Sequence, residues 1–438
     1  MTNSIKLAIS VVLIATAPAR AQGPHFDDPQ LLRLIQAAVS VSATLAEADA
    51  RIADARAASV ASDGALLPTL GLNASAERGR SSPGTPVAGN VSLGLQASWE
   101  LDLFGALRAG ASAAQARLAA SEAALHGARV AVAAEVASSY VDLRACEAQL
   151  AYAVFDAESR AETARLTALA ADGGMRAPAS ADLADASAAQ GRAVLSQQRE
   201  QCGLALKSLA ALTAISETAL RNELAGATAH VPQASVADVD TVPAGSLSQR
   251  PDLLVAAQAL IAASADYQQA QGQQWPRITL NGNISAARAS SAGLGTNGPI
   301  WTVGPVSFTL PLFDAGVRRA NTQAALARYQ AAGVSYAEHL RNAVRDTESA
   351  LLSLKKASGR RADTDNAVSG FERSYRATDA LYRGGLASLF ELEDARRSML
   401  AAHTSLVDQQ RDSAIAWISL YRATGGWTPA HPQKQDTQ

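Results

Sequence analysis

The side chains best suited to hold a metal or to carry bond chemistry are six histidines and two cysteines, and their spacing supports neither task. The histidines stand at positions 25, 126, 230, 339, 403 and 431, with no pair at metal-ligand spacing, and Cys146 and Cys202 form no Cys-x-x-Cys motif. Gly293-Leu294-Gly295-Thr296-Asn297-Gly298 fits the dinucleotide fingerprint, but a strand pattern follows it where a phosphate-binding helix should begin. No cofactor, no metal and no enzyme activity are therefore expected.

The informative carboxylates follow two glycine pairs. Asp182 lies after Gly173-Gly174, and Glu391 and Asp394 lie after Gly384-Gly385. Acids in the opening turns of a helix are favoured by its dipole, which accounts for them without a functional role. A second reading, as acids at the mouth of a pore, depends on the elements around them.

Those elements come twice. Leu67-Pro68-Thr69-Leu70 is answered by Trp275-Pro276-Arg277-Ile278, and Leu101-Asp102-Leu103-Phe104-Gly105 by Leu310-Pro311-Leu312-Phe313-Asp314-Ala315-Gly316. The glycine pairs answer each other, as do Leu212-Thr213 and Ala423-Thr424. These landmarks recur at offsets of 208, 209, 211 and 211 residues, a register that chance would not keep. The copies run from Asp28 to Glu223 and from Arg250 to Trp427, each expected to open with a proline at the first helical position, Pro29 and Pro251. As domains this gives 22–225 and 250–427, a linker at 226–249 and a tail at 428–438.

Each copy holds two segments that alternate apolar and polar residues, the signature of strands with one wet and one dry face. Val91, Leu93, Leu95, Ala97 and Trp99 alternate with Ser92, Gly94, Gln96 and Ser98. Leu70 and Leu72 alternate with Thr69, Gly71 and Asn73, and Ile278, Leu280 and Ile284 with Thr279, Asn281, Asn283 and Ser285. The fourth segment starts at Trp301 and Val303 and changes face at Pro305 before Val306, Phe308 and Leu310, which predicts a bulge or strand end at the proline. Gly79–Asn90 and Ala289–Pro299, rich in Gly, Pro, Ser and Thr, read as exposed loops.

After each phenylalanine landmark comes a proline-free helical stretch, Ala106–Ala171 and Val317–Arg383. At ~1.5 Å per residue each would reach on the order of 100 Å. Leu118, Leu125 and Val132 recur every seven residues, and a step of four then leads to Val136, Leu143 and Leu150, a heptad seam with a stutter. A second helix from Ser180 to Ser216, and another from Ser388 to Thr424, turns back antiparallel with the glycines at the tip. Residue 174 is the midpoint of Cys146 and Cys202, so the two cysteines should lie level across the first hairpin. In an oxidising compartment they are expected to bond, the alternative being two buried thiols.

Composition points the same way. Aromatics are 5% and charged residues 18%, with alanine throughout, which suits long helices packed through small side chains. A net charge of -2 gives no electrostatic footprint for nucleic acid. Lys6, the apolar run Leu7–Ala17 and Ala19-Arg20-Ala21 read as a cleavable signal peptide over 1–21, with no nearby cysteine for a lipid anchor. No segment has the ~18 consecutive apolar residues of a membrane helix. Strands with two unlike faces suit a membrane barrel, and a soluble sandwich is the alternative. Four strands cannot close, and open edges are untenable in hydrocarbon, so the chain must share its barrel. Two copies supply eight strands and a filled interior, whereas three supply twelve and a water-filled lumen.

Trp99-Glu100-Leu101-Asp102-Leu103-Phe104-Gly105, Arg250-Pro251-Asp252-Leu253, Pro311-Leu312-Phe313-Asp314-Ala315-Gly316 and Gly425-Gly426-Trp427 together resemble the outer-membrane efflux proteins. More narrowly, the chain is similar to the outer-membrane factors of tripartite resistance-nodulation-division pumps, the relatives of TolC. The resemblance implies a mixed α and β membrane protein: a trimeric twelve-stranded outer-membrane β-barrel, four strands per chain, continued by an α-helical coiled-coil tunnel across the periplasm. It implies a gated conduit for small molecules, with a periplasmic adaptor protein, an inner-membrane pump of that class and outer-membrane lipids as partners. It also implies a periplasmic gate at the tips. Glu391 and Asp394, and Asp182 from the first tip, would line the entrance and Tyr382 would hold it closed beside Gly385. Some relatives carry arginine where this chain has Ala387, which leaves Arg383 as the candidate for an ionic latch. The first tip is two residues longer than the family pattern, which loosens the placing of Asp182. A protein-secretion channel of the same fold and a coiled-coil surface protein are the other function classes, and the second leaves the repeated strand pairs unexplained.

Overall fold

Alanine-rich sequence lets helices approach closely, and two such helices account for most of the length of the molecule. The computed structural model describes residues 26, 28–80, 82–227, 229–234, 242, 244–291 and 294–426. In chain order the elements are α1 (Pro29–Val41), α2 (Ala43–Gly64), β1 (Thr69–Gly79), β2 (Ala88–Leu101), α3 (Ala106–Asp172), α4 (Pro178–Thr213), α5 (Glu217–Leu224) and α6 (Ala244–Leu247). They continue with α7 (Pro251–Gly272), β3 (Arg277–Ser291), β4 (Leu294–Thr309), α8 (Val317–Arg383) and α9 (Leu389–Ala423). The signal-peptide segment and the tail lie outside the described residues, as do Gly293 of the fingerprint string and Trp427 of the last motif.

Both long helices run unbroken for 67 residues. The heptad stripe of α3 goes from half-buried at Leu118 and Leu125 to buried at Val136 and Leu143, and alanines such as Ala113, Ala134 and Ala137 fill the contacts between. α4 folds back on α3 and α9 on α8, while α3 also lies against α7 above and α9 below. The described protomer is thus a wall of packed helices with the four strands at one end. Its main core sits where α1 and α5 lie over α3, α4 and α9, around Leu34, Tyr140, Leu209, Leu220 and Trp417. There Tyr140 donates to Asp28 at 2.6 Å, and buried Arg144 donates to Gln30, Glu147 and the Leu224 carbonyl.

The strands form one antiparallel sheet in the order β1-β2-β3-β4. Register places Leu72 opposite Leu95, Leu95 opposite Ile284, and Ile284 opposite Trp301, so the apolar residues of all four strands share one face. That face is bare in the lone chain, with Leu70 72% and Val303 82% exposed. The opposite face is a polar lattice: Asn73 donates to Gln96 at 3.0 Å, Ser75 meets Ser92 at 2.8 Å, and Ser98 donates to Asn281 at 3.0 Å. The predicted bulge is present. Gly282 pairs with Val303 and Leu280 with Val306, so Gly304 and Pro305 are left over opposite Asn281, and the extra residue returns Val306 to the apolar face.

One expectation, on the strand loops, needs correction. Ala289–Pro299 is not a loop, because β3 continues to Ser291 and β4 begins at Leu294, and the other loop ends early at Ala88. Backbone pairing to a neighbouring strand holds these Gly, Ser and Thr residues extended despite their low intrinsic preference. Pro29 and Pro251 stand at the first helical position as expected, although the helices they open are not counterparts in the repeat. The counterpart of α7 is α2, each of 22 residues ending in glycine, and Ser42 rather than proline caps α2. α1 is an added helix set at 50° to α2, capped by Asp28 through Gln30 and Leu31 N–H groups.

Candidate functional site

At the far end of the wall both hairpins turn through the same motif. Gly174 and Gly385 take left-handed conformations, with φ of 72° and 75°, and the next residue's N–H reaches back to Ala170 or Leu381 at 2.8 Å. Gly385 is therefore a helix terminator. The two connections, 173–177 and 384–388, are equal in length, so Asp182 corresponds to Glu393 of the second hairpin.

Tyr382 ties one hairpin to the other. Its hydroxyl lies 3.1 Å from that of Thr167 on α3, and the Arg176 guanidinium from the first tip sits 5.3 Å over its ring. Arg383 pairs instead with Asp379 of its own helix at 3.0 Å and is 76% exposed. Glu391 closes a capping box with Ser388: its carboxylate accepts from the Ser388 N–H at 2.6 Å while the serine hydroxyl accepts from the Glu391 N–H. The Ser388 backbone and hydroxyl hydrogen bonds hold the Glu391 carboxyl below its ordinary range. Asp394 is exposed beside Arg397 at 3.9 Å, and Asp182 is exposed on α4. Cys146 and Cys202 are joined, with Cα atoms 5.5 Å apart, well up the first hairpin from its tip.

Sequence reasoning missed the most heavily built part of the site. One to two helical turns above Tyr382, α9 buries Glu393 and Arg396 against α3 and α4. Arg396, 1% exposed, donates to Glu393 at 2.5 Å and to Thr163 at 3.0 Å. Glu393 accepts from Ser187 of α4 at 3.1 Å, and Arg160 of α3 lies 3.5 Å from it while donating to Asp156 at 2.8 Å and to Ser187 at 2.8 Å. Two guanidinium groups and two carboxylates thus interlock across three helices of both hairpins. The available signal was phase: Glu393 and Arg396 fall on the α9 face that carries Leu389, Leu392 and Met399, where charge belongs only if paired.

Nothing in this geometry resembles a reaction centre, and among the described residues no group of His, Cys, Asp or Glu could hold a metal. What it provides is a wall of packed helices with a bare apolar sheet face at one end and a charged joint at the other. The family model described as outer membrane efflux protein matches residues 34–214 and 242–426. The chain belongs to that family. It is 29% identical over 424 residues to the cation efflux system protein CusC of Escherichia coli (strain K12), covering 92% of this chain and 87% of that one. It is 26% identical to the solvent efflux pump outer membrane protein SrpC of Pseudomonas putida, covering 94% and 88%. Among solved structures, the outer-membrane channel OprN superposes with a TM-score of 0.83 at 27% identity, over 97% of this chain and 98% of that one. As an outer membrane efflux protein, the chain is a conduit and not an enzyme. It is the channel component of a tripartite efflux system, and its four strands are one third of a twelve-stranded trimeric barrel set on an α-helical tunnel.

Proposed function

We propose that the hairpin tips are the periplasmic gate of this channel and that the joint between the hairpins is what holds it shut. The observation that carries the reading is the contrast between two kinds of contact. Within each hairpin the helices pack through alanines, and in the first they are also bridged by the disulfide. Between hairpins near the tips a small apolar patch of Ala184, Leu389 and Leu392 is framed by polar contacts, Tyr382 with Thr167, Arg396 with Thr163, and Glu393 with Ser187 and Arg160. Parting an apolar seam costs about 25 cal/mol for every Å² exposed, whereas water can replace each bond of a polar one. The polar seam is the one built to open. Asp394, exposed beside the tip, repeats three times around the entrance and draws cations toward it, while Glu391 serves the helix cap.

The chain works with a periplasmic adaptor and an inner-membrane resistance-nodulation-division transporter, which supplies the energy. Its cargo is small molecules. Relatives named for cation efflux, solvent efflux and pyoverdine export support that class. The chain reaches the outer membrane through a cleaved signal peptide over 1–21, and its domains divide at 22–225 and 250–427.

Planar-bilayer recording tests the gate. Tyr382→Phe removes one hydrogen bond worth about 1 kcal/mol from the closed state only, so the open fraction should rise roughly fivefold. An unchanged open fraction in Tyr382→Phe and in Thr167→Val would move the gate elsewhere.

A further inference from the structure

The charged residues of the four strands are divided between the two faces of the sheet. Glu77, Glu100 and Arg277 fall on the polar face, whereas Arg78 and Arg288 fall on the apolar one. Register fixes their places: Arg288 stands opposite Val91, which stands opposite Ala76, and Arg78 stands opposite Gly89, which stands opposite Ser290. Both arginines are exposed, and neither makes a hydrogen bond or an ion pair among the described residues. No Asp or Glu of the strands shares their face.

Their depth is set by the length of the strands. Ile278 opens the apolar face of β3 at the helix end, and Arg288 follows ten residues later. At ~3.3 Å per residue and a tilt of about 40°, that is about 25 Å along the membrane normal, the height of the apolar band of a barrel. The helices occupy the periplasmic end, so both arginines emerge among the headgroups of the outer leaflet. A cation on the lipid face is costly at the midplane and nearly free there. The relief of the face changes in the same direction: along β1, Leu70 and Leu72 give way to Ala74 and Ala76 before Arg78. The two arginines stand two strands and one pleat apart, about 12 Å between Cα atoms at ~4.8 Å per strand and ~3.3 Å per residue. Gly89 lies between them and has no side chain, which leaves both guanidinium groups open to one ligand.

We propose that Arg78 and Arg288 form a binding site for a phosphorylated glycolipid of the outer leaflet. Each guanidinium group takes one of two phosphates on a disaccharide head, and the acyl chains lie on the shallow alanine surface below. The inference rests on the outer-membrane barrel and adds a specific lipid to it. Guanidinium groups hold phosphate through paired N–H donors, and no carboxylate on this face competes for them. A disaccharide with a phosphate at each end can span two cations fixed on a rigid sheet, whereas a phospholipid brings one phosphate and engages one of them. Both arginines belong to the same chain, so a three-copy channel carries three such sites.

The test uses the full-length channel extracted from outer membranes, stripped of lipid in detergent and titrated with diphosphorylated lipid A. Bound molecules are counted per particle by native mass spectrometry, which also reports the particle mass of every variant. The native channel should fill three sites. Arg78→Gln and Arg288→Gln should each weaken binding about tenfold or more, and so should removal of one phosphate from the lipid. The double variant should bind no better than the native channel binds phosphatidylglycerol, and excess inorganic phosphate should not displace the glycolipid. Arg277→Gln, on the polar face at the other end of β3, should change nothing. Equal binding by the native and double-variant channels overturns the site, and equal binding of the one-phosphate and two-phosphate lipids overturns the glycolipid assignment. Both results leave the barrel standing. A native chain that does not fractionate with outer membranes overturns the barrel and the site together.

Discussion

Replacing Glu393 by glutamine should leave the channel assembled but largely unable to close. The carboxylate is buried between two guanidinium groups, at 2.5 Å from Arg396 and 3.5 Å from Arg160, and only Asp156 remains to balance them once it is neutralised. Breaking a buried pair by removing one partner costs about 3–5 kcal/mol, because the surviving charge is left desolvated. If the seam opens during transport, that cost falls on the closed state, where the groups are buried, and hardly on the open state, where water reaches them. A shift of about 3 kcal/mol changes the closed-to-open ratio by more than 100-fold. Bilayer recordings should then show near-continuous conductance, and cells should become sensitive to antibiotics too large for general porins. Misfolding is told apart by a second variant. Glu393→Leu combined with Arg396→Leu removes both charges of the α9 pair, which buried ion pairs tolerate well, and should close far better than Glu393→Gln. Equal leakiness of the two variants would count against the ionic joint.

The second large effect concerns the disulfide. The bond between Cys146 and Cys202 closes a loop with a sequence separation of 56 residues, which restricts the unfolded chain by about 4 kcal/mol. Cys146→Ser with Cys202→Ser should therefore lower the unfolding free energy by that amount, read as a lower guanidinium midpoint at unchanged slope, and reductant should do the same to the native chain. The corresponding positions of the second hairpin, Ala357 and Ser413, carry no bond, although Gln409 donates to the Ala357 carbonyl as Gln198 does to that of Cys146. Thiol titration of exported, unreduced protein should find no free groups. Two free thiols would remove the bridge and the stability difference with it.

The features legible in the sequence were those written locally or repeated. Each long helix starts after a left-handed glycine, Gly105 or Gly316, and ends at another glycine, Gly173 or Gly384, so the ends of α3 and α8 could be placed within a residue. Alternation in β2 and β3 gave the faces of the sheet, and Pro305 marked the bulge. Misreadings arose where composition and context disagree. Ser290 and Gly295 look like loop residues, yet they face each other in a ladder that only the partner strand could reveal. Pro29 and Pro251 look equivalent because a helix start is a local signal, whereas the equivalence of α2 and α7 is a matter of register.

The candidate site divides along the same line. Tyr382 and the glycine tip lie in a contiguous, recognisable segment, and so does the Ser388–Glu391 cap. The joint of Arg160, Glu393 and Arg396 joins residues more than 200 positions apart, and its charges read as a solvated helix face until folding buries them. Arg383 illustrates the converse, a well-placed cation that the fold leaves in solvent with a partner on its own helix.

The open edges of the sheet at β1 and β4 are completed only by neighbouring copies around one axis. The most direct test is the mass of the detergent-solubilised particle purified from outer membranes, corrected for bound detergent. Three chain masses are expected, whereas a stable monomer that needs no detergent would contradict the shared barrel and everything built on it.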